Sequence, residues 1–503
     1  MQTHFVGSLD PMSTENDHDV VVAGGGPTGL MLAGELALAG ADVVVVERRE
    51  TPDVDRSRAG GLHIRTLEVL DQRGIADRFV DAGQKYPALG YAYIQLDLSD
   101  QPTRHNYLLA LKQSTFEPML AEWVEGLGVR VLRGRELVGF VQRADAVEVD
   151  VSDASTLRAK YLVGCDGGRS FVRKAAGIDF AGFDPSTSFI IAEADMTETP
   201  VVGIRPEGGG IGPVDPGSPG GPYGIVLKEP RADRAAEPTL DELRAAVIAA
   251  YGTDFGLHSP TRISYFTDVS RQAVAYRNGR VLLAGDAAHI HAPLGGQGLN
   301  TGVQDAANLG WKLARVAKGE SPDSLLDTYH AERHPVGARV LDNTMAQTAL
   351  VVHDDRHKAL HAAVAEWLAL DEPRKAVSAM ISGLDIRYDT HDEIGCDHPL
   401  VGRRIPDLDL HTADGPTRMF TLLHAARPVL LILGTFVDFD VSPWPGVRMV
   451  HARCHDPWEL PVIGRVAAPT AVLIRPDGYV AWTGDPTDSE LPRALTTSFG
   501  PLG

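Results

Sequence analysis

Short β-branched runs alternate with longer helix-forming stretches at the start of the chain, and their spacing predicts a strand-helix-strand unit. Asp19-Val20-Val21-Val22-Ala23 reads as a strand that passes directly into Gly24-Gly25-Gly26-Pro27-Thr28-Gly29. Leu30 to Leu38 is rich in Leu, Met, Ala and Glu and predicts a helix; Gly40 ends it, Asp42 to Val46 predicts the next strand, and Glu47 closes that strand. Farther on, Gln113 to Glu125 reads as a helix, while Val129 to Leu132, Leu137 to Gln142 and Val147 to Val151 read as strands. Another apolar strand reaches Asp166. The pattern changes from Phe180 to Arg271, where strand-like runs at Phe189 to Ala194 and Tyr223 to Leu227 flank a Gly/Pro-rich insert, Gly203 to Pro222. Val281 to Ala284 returns to a buried parallel-strand pattern, and Asn300 to about Ile381 is mostly helical. After Gly395 to Pro406, strands at Val429 to Leu433, Val447 to His451 and Ala471 to Arg475 predict a separate small α/β unit, with Pro476-Asp477-Gly478 as a turn.

Composition narrows the classes open to such a chain. A length of 503 residues suggests about three domains. Lys+Arg 47 against Asp+Glu 67 gives a net charge of -20, the wrong sign for holding a phosphate backbone or an anionic membrane face. The three cysteines, Cys165, Cys396 and Cys454, are far apart and odd in number, which suits a reducing cytoplasm better than a disulfide framework or a zinc site. The longest apolar runs, such as Val43 to Val46 and Val429 to Leu433, are far below the ~18 residues of a membrane span. Met1 to Asp19 has no Lys, Arg or continuous apolar stretch and reads as a loose tail rather than a secretory signal.

Four motifs carry the chemistry. Gly24-x-Gly26-x-x-Gly29 between a strand and a helix lets backbone N-H groups approach a pyrophosphate at the positive helix end, and Glu47 follows Gly29 by 18 residues, near the ~20 expected for the acid that holds a ribose hydroxyl. This motif alone does not separate FAD from NAD. Asp166-Gly167 and Gly285-Asp286 each place an acid at the end of a strand; singly, such an Asp is most often a helix N-cap. Pro293-Leu294-Gly295-Gly296-Gln297-Gly298-Leu299-Asn300 is a glycine-rich loop heading a helix expected to start near Asn300. Its glycines let backbone approach a ligand closely, and its amides, heading the helix, can stabilise negative charge. His289 and His291 lack a third ligand at a helpful spacing, so no metal is expected, and Asp305 and Trp311 read as capping and packing residues.

Together these residues resemble the FAD-dependent aromatic hydroxylases, the class A flavoprotein monooxygenases, from about residue 18 to the C-terminus. The resemblance implies an α/β chain: a Rossmann-like FAD-binding domain (18–179 and 272–393, with a helical extension), an inserted α+β substrate domain (180–271) and a thioredoxin-like domain (394–503) after a flexible tail (1–17). The last domain resembles the extension of hydroxylases acting on polyketide antibiotics and of rifamycin monooxygenases, through Gly402-Arg403-Arg404-Ile405-Pro406-Asp407 and Leu473-Ile474-Arg475-Pro476-Asp477-Gly478, without a Cys-x-x-Cys. FAD is implied at Gly24, Gly26, Pro27, Gly29, Glu47, Arg48, Arg58, Gln113, Asp166, Gly167 and Asp286, and at Pro293, Gly295, Gly296, Gln297, Gly298, Leu299 and Asn300.

The family chemistry implied is transient reduction by NADPH or NADH and oxygen transfer from a flavin C4a-hydroperoxide to an electron-rich polycyclic ring. No residue stands out as a catalytic base. Substrate contacts are expected from Phe189, Ile191, Tyr223, Ile225 and Leu227, whose other reading is plain sheet core. Arg58 and His63 are further polar candidates beside the flavin. Baeyer-Villiger oxidation and oxidative inactivation of an aromatic antibiotic share these motifs, and a flavin-containing protein that binds a drug without turning it over is the reading from another class. The expected partners are dioxygen and a polycyclic small molecule, not nucleic acid or membrane, for a monomer or homodimer in the cytoplasm.

Overall fold

The computed structural model describes residues 17–53, 60–204, 209–214, 220–229, 237–351, 354–389, 398–434, 439–444 and 446–500. Arg58, Cys396, most of the N-terminal tail and parts of the Gly203 to Pro222 insert lie outside the described residues. The first strand, Asp17–Ala23, begins two residues earlier than its apolar run suggests. It lies at the centre of an eight-stranded sheet between Thr156–Gly164 and Val43–Glu47, with Val281–Leu283 and Arg130–Arg133 outside them, all five parallel. Val20, Val21, Val22, Val44, Val45, Leu282 and Leu283 are fully buried, as a parallel sheet covered on both faces requires.

The register brings the chemistry to one edge. Ala23 pairs with Val46 and with Gly164, and Gly164 with Leu283, so these strands end side by side at their carboxyl ends. Gly24, Glu47, Asp166 and Asp286 all lie at or just beyond that edge, where open α/β sheets bind ligands.

Two helices seal one face of the sheet. Pro27–Leu38 starts three residues before its strong helix formers, because Pro at the first helical position has a fixed φ suited to helix entry. It crosses Gln297–Ala317 closely: a Cβ on Gly302 would stand 2.2 Å from Thr28 Oγ1, and one on Gly310 would stand 2.4 Å from the Glu35 side chain. The second helix starts at Gln297 rather than near Asn300. Gly295 and Gly296 take φ of 71° and 64°, and this left-handed pair turns the chain into the helix early.

The insert forms a five-stranded antiparallel sheet in which Ser188–Met196 lies between Tyr223–Glu229 and Leu257–Thr267. One face packs on the helix Leu240–Tyr251, whose entry is fixed by a reciprocal capping box between Thr239 and Glu242.

The C-terminal part carries a six-stranded mixed sheet around Val429–Ile432 and Ala471–Ile474. Its Pro476-Asp477-Gly478 turn plugs into the first body. Arg65 donates to the Asp477 carbonyl at 2.7 Å, Arg73 to the Pro476 carbonyl at 2.9 Å, and Arg475 forks onto Glu332 at 2.6 and 2.8 Å. The buried Lys312 ammonium joins the same Glu332 at 2.8 Å, and burial pulls its pKa down to about 8 despite that partner.

Candidate active site

The three glycines of the first motif have different neighbours. A Cβ on Gly24 would meet the Cys165 carbonyl oxygen at 2.4 Å, and one on Gly29 would lie 1.9 Å from the Gly24 carbonyl oxygen. These two are required by the close approach of turn, helix and neighbouring strand. A Cβ on Gly26 would have nothing within 4 Å, so the space in front of the helix N-terminus is open at that residue. Gly26 is the N-cap of Pro27–Leu38 and makes no side-chain cap, which leaves the first-turn amides for an anion.

Glu47 is buried at the end of its strand. Its Oε2 accepts from the Gly25 amide at 2.6 Å, and its Oε1 from the Arg49 amide at 2.9 Å and Arg49 Nε at 3.1 Å. Burial pushes the Glu47 pKa up, but these donors outweigh it and hold the carboxyl below its usual value. Oε2, with a single donor, keeps a lone pair for a hydroxyl. The arginine that builds this corner is Arg49, which also donates to the Gly25 carbonyl and pairs with Glu117. Arg48, expected here, is exposed, one residue beyond the end of the strand Val43–Glu47. Gln113 donates to Glu117 at 3.0 Å, which places the start of Gln113–Gly126 in the same corner; burial raises the Glu117 pKa.

The two Asp motifs differ. Asp166 accepts from Ser170 Oγ at 2.5 Å and from the Phe171 and Val172 amides at 2.7 and 3.1 Å, so its carboxylate caps the short helix Phe171–Ala175. Gly167 beside it has φ of 80°, and a Cβ there would meet open space. Asp286 is exposed, with Oδ1 3.7 Å from the Cβ position of Gly298, so its carboxylate stands beside the glycine-rich loop.

Asp305 was expected to cap and is instead a fully buried carboxylate in the middle of its helix. It accepts from the Gly285 amide at 3.1 Å, from His289 Nε2 at 2.7 Å and from Arg333 Nε at 2.7 Å. Burial raises its pKa, but Arg333 and His289 outweigh that and keep it ionised. Asp305 thereby fixes the residue before Asp286. His291 Nδ1 bonds the Ala292 carbonyl while its Nε2 stands 3.7 Å from the Cβ position of Gly298, beside the glycine-rich loop, and Trp311 is buried against Phe499.

The glycine-rich loop is tied from below by Asn300. Its Oδ1 accepts from the His63 amide at 2.8 Å, and its Nδ2 donates to the carbonyls of Gly296 at 2.8 Å and Gly61 at 3.2 Å. The His63 ring is buried against the Ile381 carbonyl, and burial lowers its pKa to about 4, so the imidazole is neutral at pH 7. Gln297 is buried, whereas Gly296 and Pro293 are exposed and Gly295, Gly298 and Leu299 are half-buried. Gly296 caps Gln297–Ala317 without a side-chain bond, so the amides of the first turn remain for a ligand.

The five expected substrate residues divide between two faces. Ile190 pairs with Leu227, Ala192 with Ile225 and Ala194 with Tyr223, and all six pack with Leu243 and Val247 as the core beneath the insert's helix. Tyr223, Ile225 and Leu227 are therefore core residues, a correction to the expected contact set. Phe189 and Ile191 point to the other face with Glu193, and Glu193 meets Lys112, the residue before Gln113, at 3.0 Å. That face turns toward the first body. On it Phe189 stacks on Phe266 with centroids 5.0 Å apart.

These features fit FAD: an open space before the helix at Gly26, a buried carboxylate with a free lone pair at Glu47, an exposed carboxylate at Asp286 and an uncapped helix start behind the glycine-rich loop. Among the described residues, no helix is long and apolar enough to cross a membrane.

Comparison with known proteins gives the same picture. Residues 17–344 match the family described as FAD binding domain, and residues 398–501 match the aromatic-ring hydroxylase C-terminal family. A solved anhydrotetracycline hydroxylase from Streptomyces rimosus is 43% identical, covers 97% of this chain and 100% of its own, and superposes with a TM-score of 0.89. A rifampicin monooxygenase of Streptomyces venezuelae is 42% identical over 96% of this chain and 98% of its own. A dialkyldecalin synthase of Streptomyces rugosporus is 40% identical over 96% of this chain and 99% of its own.

Proposed function

Because this chain belongs to the family of FAD-dependent aromatic-ring hydroxylases, we propose that it is an NAD(P)H-consuming monooxygenase that hydroxylates a polycyclic, polyketide-like aromatic compound. The balanced reaction is ArH + O2 + NAD(P)H + H+ giving ArOH + H2O + NAD(P)+. Bound FAD supplies the electron transfer from the nicotinamide and the activation of dioxygen. The observation that carries the reading is the uncapped start of Gln297–Ala317 behind two consecutive left-handed glycines, a surface suited to a flat ring that becomes negative.

The chain's own residues do the rest. Glu47 holds the adenosine ribose, the Gly26 turn the pyrophosphate, and Asp286 the ribityl chain; Asp305 and Asn300 hold the two loops in place. Phe189 and Ile191 present the apolar wall that orients an aromatic ring and excludes water. In this reading residues 18–179 and 272–393 carry the cofactor, 180–271 cover the substrate, 394–503 brace the first body, and the enzyme works in the cytoplasm, where NAD(P)H is supplied.

The test is NADPH oxidation by the FAD-loaded protein against polycyclic phenols, quinones and aromatic antibiotics, with mass spectrometry of each product. A compound that accelerates oxidation and gains one oxygen as a phenol supports hydroxylation. A lactone or a broken ring indicates Baeyer-Villiger oxidation or drug inactivation. The synthase among the relatives makes a further outcome informative: a product of unchanged mass formed without NADPH consumption would replace the monooxygenase reading with ring formation on the same scaffold.

A further inference from the structure

The side-chain nitrogens of Gln297 and Gln347 are both buried and both lack a hydrogen-bond partner. Gln297 opens one helix and Gln347 lies near the end of another, Asp327–Leu350. Their nitrogens nevertheless converge: the point where a Cβ on Gly295 would stand is 3.2 Å from Gln347 Nε2 and 3.5 Å from Gln297 Nε2. The orientation of Gln347 is fixed, because its Oε1, itself 3.5 Å from that point, accepts from the Ala92 amide at 3.0 Å, which leaves the nitrogen as the nearer and unpaired end. Asn343, one turn earlier on the same helix face, carries a third buried nitrogen without a partner.

A buried donor left unpaired costs stability, so a cluster of such donors beside a functional loop calls for an acceptor. The surroundings say what kind. Ala92 and Tyr93 form the tip of a hairpin packed against Leu294–Gly296, with φ of 47° and 71°. Neither is glycine, so the turn is strained, and it is pinned from both sides by Gln347 on the Ala92 amide and by His361 on the Ala92 carbonyl at 2.9 Å. The pinned turn sets the Tyr93 ring, which is 42% exposed while desolvation raises its hydroxyl pKa.

We propose that Gln297 and Gln347 form a donor pair that takes one oxygen acceptor of the aromatic substrate, a ring carbonyl or phenolate oxygen, beside Gly295, with Tyr93 as the adjoining aromatic wall. The proposal rests on the aromatic-substrate reading above and adds a recognition element to it. One carbonyl oxygen offers two in-plane lone pairs, which matches two converging N-H donors.

The experiment uses the full-length, FAD-loaded protein and two probes that differ only in their ring carbonyls, anthraquinone-2-sulfonate and anthracene-2-sulfonate, with binding followed through the flavin absorbance. The expected result is about tenfold tighter binding of the quinone by the unaltered protein. Gln347→Glu keeps the acceptor for the Ala92 amide and replaces the donor with an oxygen, so it should abolish the quinone's advantage and leave anthracene binding unchanged. Gln347→Leu should do the same with some loss at both probes. Unchanged quinone preference in Gln347→Glu would mean that buried water caps the nitrogens and would overturn the proposal. An equal loss for both probes, or loss of FAD, would assign Gln347 to holding the loop and would also overturn it. Equal binding of both probes by the unaltered protein sinks the donor pair and leaves the aromatic-substrate reading standing, whereas binding of neither counts against both.

Discussion

The carboxylate of Asp305 and the guanidinium of Arg333 meet at 2.7 Å with neither side chain reaching solvent, and the same carboxylate accepts from the amide of Gly285, directly before Asp286. A buried pair of this kind adds little net stability over an apolar pair, but breaking it is costly because the remaining charge is stranded. Asp305→Asn should therefore lose about 3–5 kcal/mol of folding stability, read by denaturant unfolding, and should weaken FAD retention because the Gly285 to Asp286 loop loses its charged anchor. A variant that keeps full stability and FAD content would show that the loop is held elsewhere.

The glycine motif makes a paired prediction. Gly29→Ala places a carbon 1.9 Å from the Gly24 carbonyl oxygen, a backbone atom that has nowhere to move, and the variant should misfold or lose several kcal/mol. Gly26→Ala meets nothing within 4 Å and sits at φ of -80°, so the fold should persist with an unchanged Tm. Its added methyl group occupies the phosphate space, and FAD affinity should fall about tenfold or more. Equal FAD affinity in Gly26→Ala and the parent would remove the pyrophosphate from that position.

How much of this was legible in the sequence depended on whether a signal was local. The Gly24 to Glu47 unit has fixed spacing within one strand-helix-strand segment, and its elements appear in the order the pattern gives, with starts shifted by up to three residues. Arg48 and Arg49 are adjacent and chemically identical, and only the inward burial of Glu47 decides which of them turns back to the site. In the inserted sheet, period-two alternation shows that Phe189 and Ile191 share a face, as do Tyr223, Ile225 and Leu227. It does not show that Ile190 stands opposite Leu227, which puts the second set on the buried face. Asp305 reads as an ordinary helix residue, because its partners Gly285, His289 and Arg333 lie 20, 16 and 28 residues away.

The His63 ring gives a pH prediction. Burial lowers its pKa from 6.5 to about 4, so the unfolded chain binds its proton first as pH falls. Stability is full above pH 6.5 and declines between 6.5 and about 4, by up to about 3 kcal/mol for this one group. Because His63 bonds Asn300 through its amide, the loop should loosen in the same window, seen as acid-promoted FAD release. His63→Gln should flatten that part of the pH profile. An unaltered profile in the variant would place the acid sensitivity in other groups.

The two faces of the inserted sheet can be separated by function. Ile225 is fully buried against Leu243 and Val247, so Ile225→Ala removes packed methyl groups and should cost about 2–5 kcal/mol, with KM for the aromatic substrate little changed. Phe189 lies on the opposite face and is only half-buried, stacked on Phe266. Phe189→Ala should cost less stability, within about 1–2 kcal/mol, while loss of its aromatic contact raises KM about tenfold. The discriminating measurement is Tm and KM on both variants in parallel: the first should move Tm and the second KM. If Ile225→Ala shifted KM and Phe189→Ala only Tm, the substrate would lie on the helix side of the sheet, and the wall assigned to Phe189 and Ile191 would be wrong.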